Sequence, residues 1–249
     1  MRVTRIAMWS GPRNLSTALM RSFGNRADTV VVDEPFYAHY LVATGLPHPG
    51  RDEVIAHHEA DWRRVADRLH APLPEAISVQ YQKHMAHHLL PTMERAWLDG
   101  LTHAFLLRNP TDMLRSLGNK LEQVQIEDTG LPQQLEIFEM LSRERGCIPA
   151  VLDADDLLED PQGVLQALCN AIGITFDAAM LHWPAGRRAT DGVWAKYWYD
   201  TVERSTSFVR WPKTQTPLPV ALAALEREAK PLYATMHRHR LRPAKYATQ

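Results

Sequence analysis

The sequence predicts an α/β fold, a three-layer sandwich in which helices cover both faces of a central parallel sheet of about five strands. Two observations carry this. Five short runs rich in β-branched and apolar residues, Val3–Trp9, Thr29–Val32, Ile77–Tyr81, Ala104–Leu107 and Ile148–Leu152, alternate with helical patterns. Such alternation favours parallel strands buried on both sides. Polar residues then follow every run: Ser10–Thr17, Asp33-Glu34-Pro35, Gln82-Lys83-His84, Arg108-Asn109-Pro110 and Asp153–Asp156. Ligands of parallel sheets sit at the carboxyl ends of the strands, where these residues would form a rim.

The first run stops at Ser10-Gly11-Pro12. A small, donor-rich loop follows, Arg13-Asn14-Leu15-Ser16-Thr17, and then Leu15, Leu19, Met20 and Phe23 fall at helical spacing. This predicts a helix over Thr17–Phe23. Strand, tight loop and helix aim backbone N–H groups and a helix N-terminus at an anion. Arg13 adds a fixed positive charge, so the loop is expected to hold a phosphate or sulfate group. It lacks the Gly-Lys-Ser/Thr of a Walker loop. Further helices are expected over Asp52–Leu69, His84–Leu98, Asp112–Val124, Leu135–Arg145, Pro161–Ile172 and Leu218–His237. Pro161 suits a first helical turn.

Two more groups stand out. Arg108 ends the fourth strand and Ser116 lies about two helical turns on. A guanidinium fork and a hydroxyl suit a second phosphate. Glu34 closes the second strand, where a carboxylate can take a proton from a hydroxyl. Trp194, Tyr197, Trp198 and Tyr199 read as glue between a late helix and the rest, or as a stacking surface for a base.

Composition narrows the class. The 249 residues carry a formal net charge of −1, which does not favour nucleic acid. Cys147 and Cys169 form neither a disulfide framework nor a zinc pattern, and read as buried thiols of a reducing compartment. No run approaches the roughly 18 apolar residues of a membrane span, and no leader pattern opens the chain, so a cytoplasmic location is expected. His84 and His88 stand at i,i+4 spacing but lack a third ligand, so no metal is expected. The basic tail Arg238–Gln249 reads as a solvated end. One domain is expected, with an α/β core over 1–182 and a helical extension over 183–249. The sequence sets no oligomeric state.

The three motifs together resemble the sulfotransferases that use 3′-phosphoadenosine 5′-phosphosulfate (PAPS). Pro12-Arg13-Asn14-Leu15-Ser16-Thr17 is similar to that family's 5′-phosphosulfate loop. Arg108 and Ser116 match its 3′-phosphate element in position and spacing. Asp153–Pro161 looks like its acidic turn after the fifth strand, and Arg187-Arg188-Ala189-Thr190-Asp191-Gly192-Val193-Trp194 more loosely resembles a late cofactor-binding motif.

The resemblance spans roughly residues 3–210. It implies a P-loop nucleotide-kinase-like fold and metal-free transfer of a sulfuryl group to a hydroxyl of a small-molecule acceptor. It also implies site roles. Glu34 would be the base, and Arg13, Lys83 and His84 would flank the transferring group. Arg13, Asn14, Leu15, Ser16, Thr17, Arg108, Ser116, Arg187, Arg188 and Trp194 would hold the nucleotide. Leu15 stands where the family carries Gly, which favours a rival, a non-catalytic member that binds nucleotide or a partner. A P-loop-like small-molecule kinase is the other alternative. The acceptor pocket is expected within about 36–73, which includes Tyr37, His39, Tyr40 and Trp62.

Overall fold

Strand β1 (Thr4–Ser10) lies at the centre of a five-stranded, all-parallel sheet of order β2-β3-β1-β4-β5 in the computed structural model, which describes residues 3–118, 124–210 and 218–243. The other strands are β2 (Thr29–Asp33), β3 (Val79–Met85), β4 (Thr102–Leu107) and β5 (Ala150–Asp153). All five runs expected from the sequence form strands. Helices in chain order are α1 (Ser16–Gly24), α2 (Tyr37–Thr44), α3 (Arg51–His57), α4 (Trp62–His70), α5 (Pro110–Gly118) and α6 (Leu131–Arg145). They continue with α7 (Ala154–Glu159), α8 (Pro161–Ile172), α9 (Ala195–Trp198), α10 (Asp200–Glu203) and α11 (Val220–His237).

The strand pleat divides the core into two layers. Ile6 and Met8 of β1, with Tyr81 and Leu106, pack under α1 and α8 through Leu19, Phe23, Leu165 and Leu168. Ala7, Trp9, Phe105 and Val151 face the other way, against α4, α6 and α11. A third cluster joins α2 and α3 to Trp194 and Tyr199, at the carboxyl end of the sheet.

Four expectations need correction. The run Asp52–Leu69 is two helices, because Asp61 caps the start of α4 by accepting from the Arg63 N–H at 3.0 Å. No long helix spans His84–Leu98. β3 runs on to Met85, buried at every position, and only short 3-10 turns follow at Ala86–His88 and Ala96–Leu98. Cys147 is exposed, whereas Cys169 is buried. The tail is docked as far as it is described. Leu241 N–H donates to the Val151 carbonyl at 2.8 Å and Arg240 pairs with Asp156 at 2.8 Å. Residues 244–249 lie outside the described part, as do 119–123 at the end of the helix expected over Asp112–Val124.

The loop after β1 is braced from behind. A Cβ on Gly11 would sit 2.2 Å from the Thr129 carbonyl oxygen, a backbone atom that cannot swing aside. Gly11→Ala is therefore expected to destabilise the protein by about 3 kcal/mol. Thermal denaturation should show a fall in Tm of roughly 6–12 °C at this chain length.

Candidate functional site

Strand register brings the rim together. Ser10 of β1 pairs with Leu106 of β4, so the residues that follow each strand, Arg13 and Arg108, emerge side by side. Arg13 Nε donates to Ser116 Oγ at 3.0 Å, and the Arg108 guanidinium donates to the Arg13 carbonyl. Asn14 fastens the loop at both ends. Its Nδ2 donates to the Leu106 carbonyl at 2.7 Å, and its Oδ1 accepts from the Leu15 N–H at 2.7 Å. The Leu15 side chain turns away and packs against the apolar layer under α1. No side chain caps α1, so the N–H groups of its first turn, which Ser16 and Thr17 begin, have no intrahelical partner.

The electrostatics of this loop favour an anion. Arg13 and Arg108 are half-buried, and among the described residues neither has a carboxylate at ion-pair distance. Burial lowers the pKa of both guanidiniums, and the nearby charge of Arg108 lowers that of Arg13 further. Two converging cations beside an uncapped helix N-terminus form a donor set for a phosphate or sulfate oxygen. The residues present thus fit a nucleotide carrying phosphate groups.

A second cluster lies two strands over. Asp33 of β2 and Lys83 of β3 are register partners. Lys83 Nζ donates to Asp33 Oδ1 at 2.9 Å, to Glu34 Oε1 at 2.6 Å and to Tyr199 OH at 2.6 Å. Tyr199 OH donates to Asp33, 2.7 Å from Oδ2, and accepts from Trp194 Nε1 at 3.2 Å. The Asp33 and Lys83 side chains are 1% and 2% exposed, so this is a buried ionic network. Desolvation raises the Glu34 pKa and Asp33 adds to the rise, while Lys83 opposes it. The two carboxylates hold Lys83 cationic well above its usual range despite burial.

Backbone strain marks the same places. Among the described residues, the non-glycines with positive φ are Arg13 (53°) and Glu34 (40°). Such conformations cost about 1–3 kcal/mol each and persist where the surroundings enforce them. Glu34 N–H donates to the Lys83 carbonyl at 3.0 Å, and its own carbonyl accepts from Tyr37 N–H at 3.1 Å.

Several candidates fall elsewhere. His84 points to the opposite face from Lys83, stacked on Trp9 at 4.6 Å, and donates through Nε2 to Gln82 Oε1 at 3.0 Å. Burial lowers its pKa to about 3, and it does not join the rim. Trp194 is buried against Tyr37 and Tyr199 and acts as an anchor. Arg188 lines a hollow beside α1 and Thr29–Val31 of β2. β2 is three strands from β4, or roughly 14 Å at ordinary sheet spacing. Arg187 is 55% exposed and lies 3.8 Å from Glu203. Neither arginine is brought to Arg108.

Asp33 and Tyr199 escape sequence reasoning. Asp33 is hidden by its neighbour Glu34, and Tyr199 reaches the site from 166 residues away. An open groove of about 600 Å³ lies on the outer side, lined by Pro47, His48, Arg51 and Tyr197 among others. His48, one of the lining residues, shares a 3.0 Å hydrogen bond with Tyr37 OH.

A parallel sheet with a small loop and helix after its central strand and a second arginine after the neighbouring strand defines an α/β protein whose polar groups gather at the carboxyl ends of its strands. The sulfotransferase domain family matches residues 4–240, and the chain belongs to that family. The chain is also similar to branched-chain-amino-acid aminotransferase-like proteins 1 and 2 of Arabidopsis thaliana, at 38% and 35% identity over 235 residues. The match takes in 94% of this chain but 42% and 41% of theirs, so the chain spans less than half the length of these relatives.

Two solved structures share the fold. The sulfotransferase domain from the curacin biosynthetic pathway has a TM-score of 0.58 at 16% identity, over 97% of this chain and 100% of that one. The sulfotransferase domain of the Synechococcus PCC 7002 olefin synthase has 0.51 at 17%, over 95% of each.

Proposed function

We propose that the chain transfers a sulfuryl group from PAPS to a hydroxyl of a small-molecule acceptor, with Glu34 as general base. The observation that carries this is the convergence of Arg13 and Arg108 beside the N-terminus of α1, with no carboxylate at ion-pair distance from either among the described residues, although Asp200 acts on Arg13, and Asp112 and Asp155 on Arg108, from further off. The nucleotide, when bound, would supply the sulfuryl group, its bridging sulfur–oxygen bond breaking with the electron pair left on the phosphate. Asn14, Ser16, Thr17 and the backbone of 13–17 would hold the 5′ end. Arg108 and Ser116 would hold the 3′-phosphate. Arg13 would stabilise charge gathering on the leaving oxygen. Glu34, partly desolvated and with its pKa raised, is a better proton acceptor than a solvated carboxylate. The groove behind His48 and Tyr37 would take the body of the acceptor.

The names of the longer relatives suggest another chemistry. A transaminating lysine must offer a neutral amine. Lys83, the buried lysine among the described residues, is locked as a cation between two carboxylates. That argues against carrying the aminotransferase name to this chain.

Calorimetry with 3′,5′-adenosine bisphosphate tests the proposal. Micromolar or tighter binding without metal is expected, and absence of binding overturns it. Arg108→Ala should weaken the bisphosphate by roughly 10- to 100-fold, as loss of a charged hydrogen bond implies, and weaken adenosine 5′-phosphate by less, because Arg108 also braces the Arg13 carbonyl in the 5′ loop. Equal losses would show that Arg108 does not read the 3′ position.

A further inference from the structure

The buried ionic network holds more charge than a base needs. A lysine beside a glutamate would make a neutral pair. Here the same ammonium also serves Asp33, so two carboxylates share one cation. We propose that Asp33 is a positioning residue: by holding Lys83 Nζ in competition with Glu34, it leaves the buried trio one negative charge in excess and readies Glu34 to accept the proton of an acceptor hydroxyl. This rests on the reading of Glu34 as the base.

The geometry makes the competition real. Asp33 grips Nζ at 2.9 Å and Glu34 at 2.6 Å, and Tyr199 OH takes a third ammonium proton at 2.6 Å. With three acceptors, the ammonium has no proton to spare. Tyr199 and the Gly192 N–H, 3.4 Å from Asp33 Oδ2, hold the Asp33 carboxylate in place.

Proton transfer removes the excess. The acceptor O–H bond breaks, its proton joins the Glu34 carboxylate, and the electron pair stays on the acceptor oxygen that attacks sulfur. The trio goes from one net negative charge to none, a change that a poorly solvated interior favours.

The surrounding groups leave this count intact. Tyr37 from α2, Tyr81 from β3 and Tyr199 have phenols raised by burial and stay protonated. His58 after α3, and His84 and His88 at and after the end of β3, have imidazole pKa values lowered by burial.

The test reads Glu34 directly and needs neither nucleotide nor acceptor. Protein labelled with 13C at the glutamate side-chain carboxyl is titrated by NMR, and the Glu34 signal is assigned by its loss in Glu34→Gln. In Asp33→Asn the Glu34 midpoint should fall by one pH unit or more, because Lys83 then serves Glu34 alone. If Asp33 merely anchored Lys83, the variant would loosen the ammonium and the midpoint would stay or rise, and that result overturns the proposal. Should Asp33→Asn fail to fold, Asp33→Ser decides: it also takes the second carboxylate from Lys83 Nζ, so a fall in the Glu34 midpoint supports the proposal, and a midpoint that stays or rises overturns it. Failure of the wider reading shows separately, as absence of bisphosphate binding to the wild type while the Asp33→Asn shift stands.

Discussion

Lys83→Met is expected to destabilise the protein by about 3–5 kcal/mol, the cost of removing one partner from a buried ionic cluster. Its Nζ donates to three oxygens, and its side chain is 2% exposed. Methionine fills a similar volume, so the loss is electrostatic rather than a cavity. Asp33 and Glu34 would be left facing each other without a cation. Their repulsion and desolvation would make the pair take up a proton on folding. The pH dependence follows from the sign. Glu34 is already raised in the wild type, and loss of Lys83 removes the opposing influence and raises it further. A group raised in the folded state contributes stability that is full below its unfolded value, about 4.3. That stability is lost as pH rises towards the folded value. The gap in Tm between Lys83→Met and wild type should therefore be widest near pH 8 and shrink towards pH 5. A gap under about 2 °C at pH 8, or one that widens on acidification, would show that the network is not the ionic anchor described.

That network also shows where sequence reading stopped. β1 and β4 are legible because their apolar runs are buried on both faces, and their loops because small, charged residues follow at once. β3 is only partly legible. Gln80, Gln82, Lys83 and His84 break the apolar run, yet each is buried in the strand and bonded to a side-chain partner. From the sequence Gln82-Lys83-His84 reads as a rim leading into a helix at His84, yet Gln80, Gln82 and His84 satisfy one another along β3, and Lys83 finds its partners on other elements. Asp153–Pro161 reads as an acidic turn ahead of the helix expected from Pro161, which α8 forms as expected; the turn is itself the short helix α7, and each helix is capped by an aspartate, Asp153 accepting from Asp155 N–H at 2.9 Å and Asp160 from Gly163 N–H at 3.2 Å. The late aromatic run leaves glue and base stacking open in the sequence; Trp194 and Tyr199 are buried, and nothing local tells which ring meets the ions. Tyr199 differs from Tyr197 only in where the fold sends it: one OH enters the Lys83 cluster, while the other ring lines the outer groove. Proximity to an ion 116 residues away leaves no local pattern to find.

Glu34→Gln is expected to lower turnover by about 10²- to 10⁴-fold, the usual contribution of a general base. Affinity for 3′,5′-adenosine bisphosphate should stay within a few-fold of wild type. The substitution isolates proton transfer. Glutamine has the same shape, and its carbonyl can still accept from Lys83 Nζ where Glu34 Oε1 now does, at 2.6 Å. The positive-φ backbone is held by the Lys83 carbonyl and by Tyr37 N–H, contacts that do not involve the side chain. The anion loop is built from β1, β4 and α1, elements that do not contain residue 34. Lost turnover with intact binding therefore assigns the proton to Glu34. The pH profile adds a second sign. Only the ionised carboxylate accepts a proton, so the wild-type rate should rise as Glu34 ionises. Burial places that limb above the ordinary glutamate range. The limb should vanish in Glu34→Gln, whose residual rate is flat there. Transfer to 2-naphthol as a probe acceptor, followed from pH 4.5 to 8, reads both. Turnover equal to wild type, with the limb still present, would remove Glu34 from the chemistry and leave Lys83 serving a structural pair.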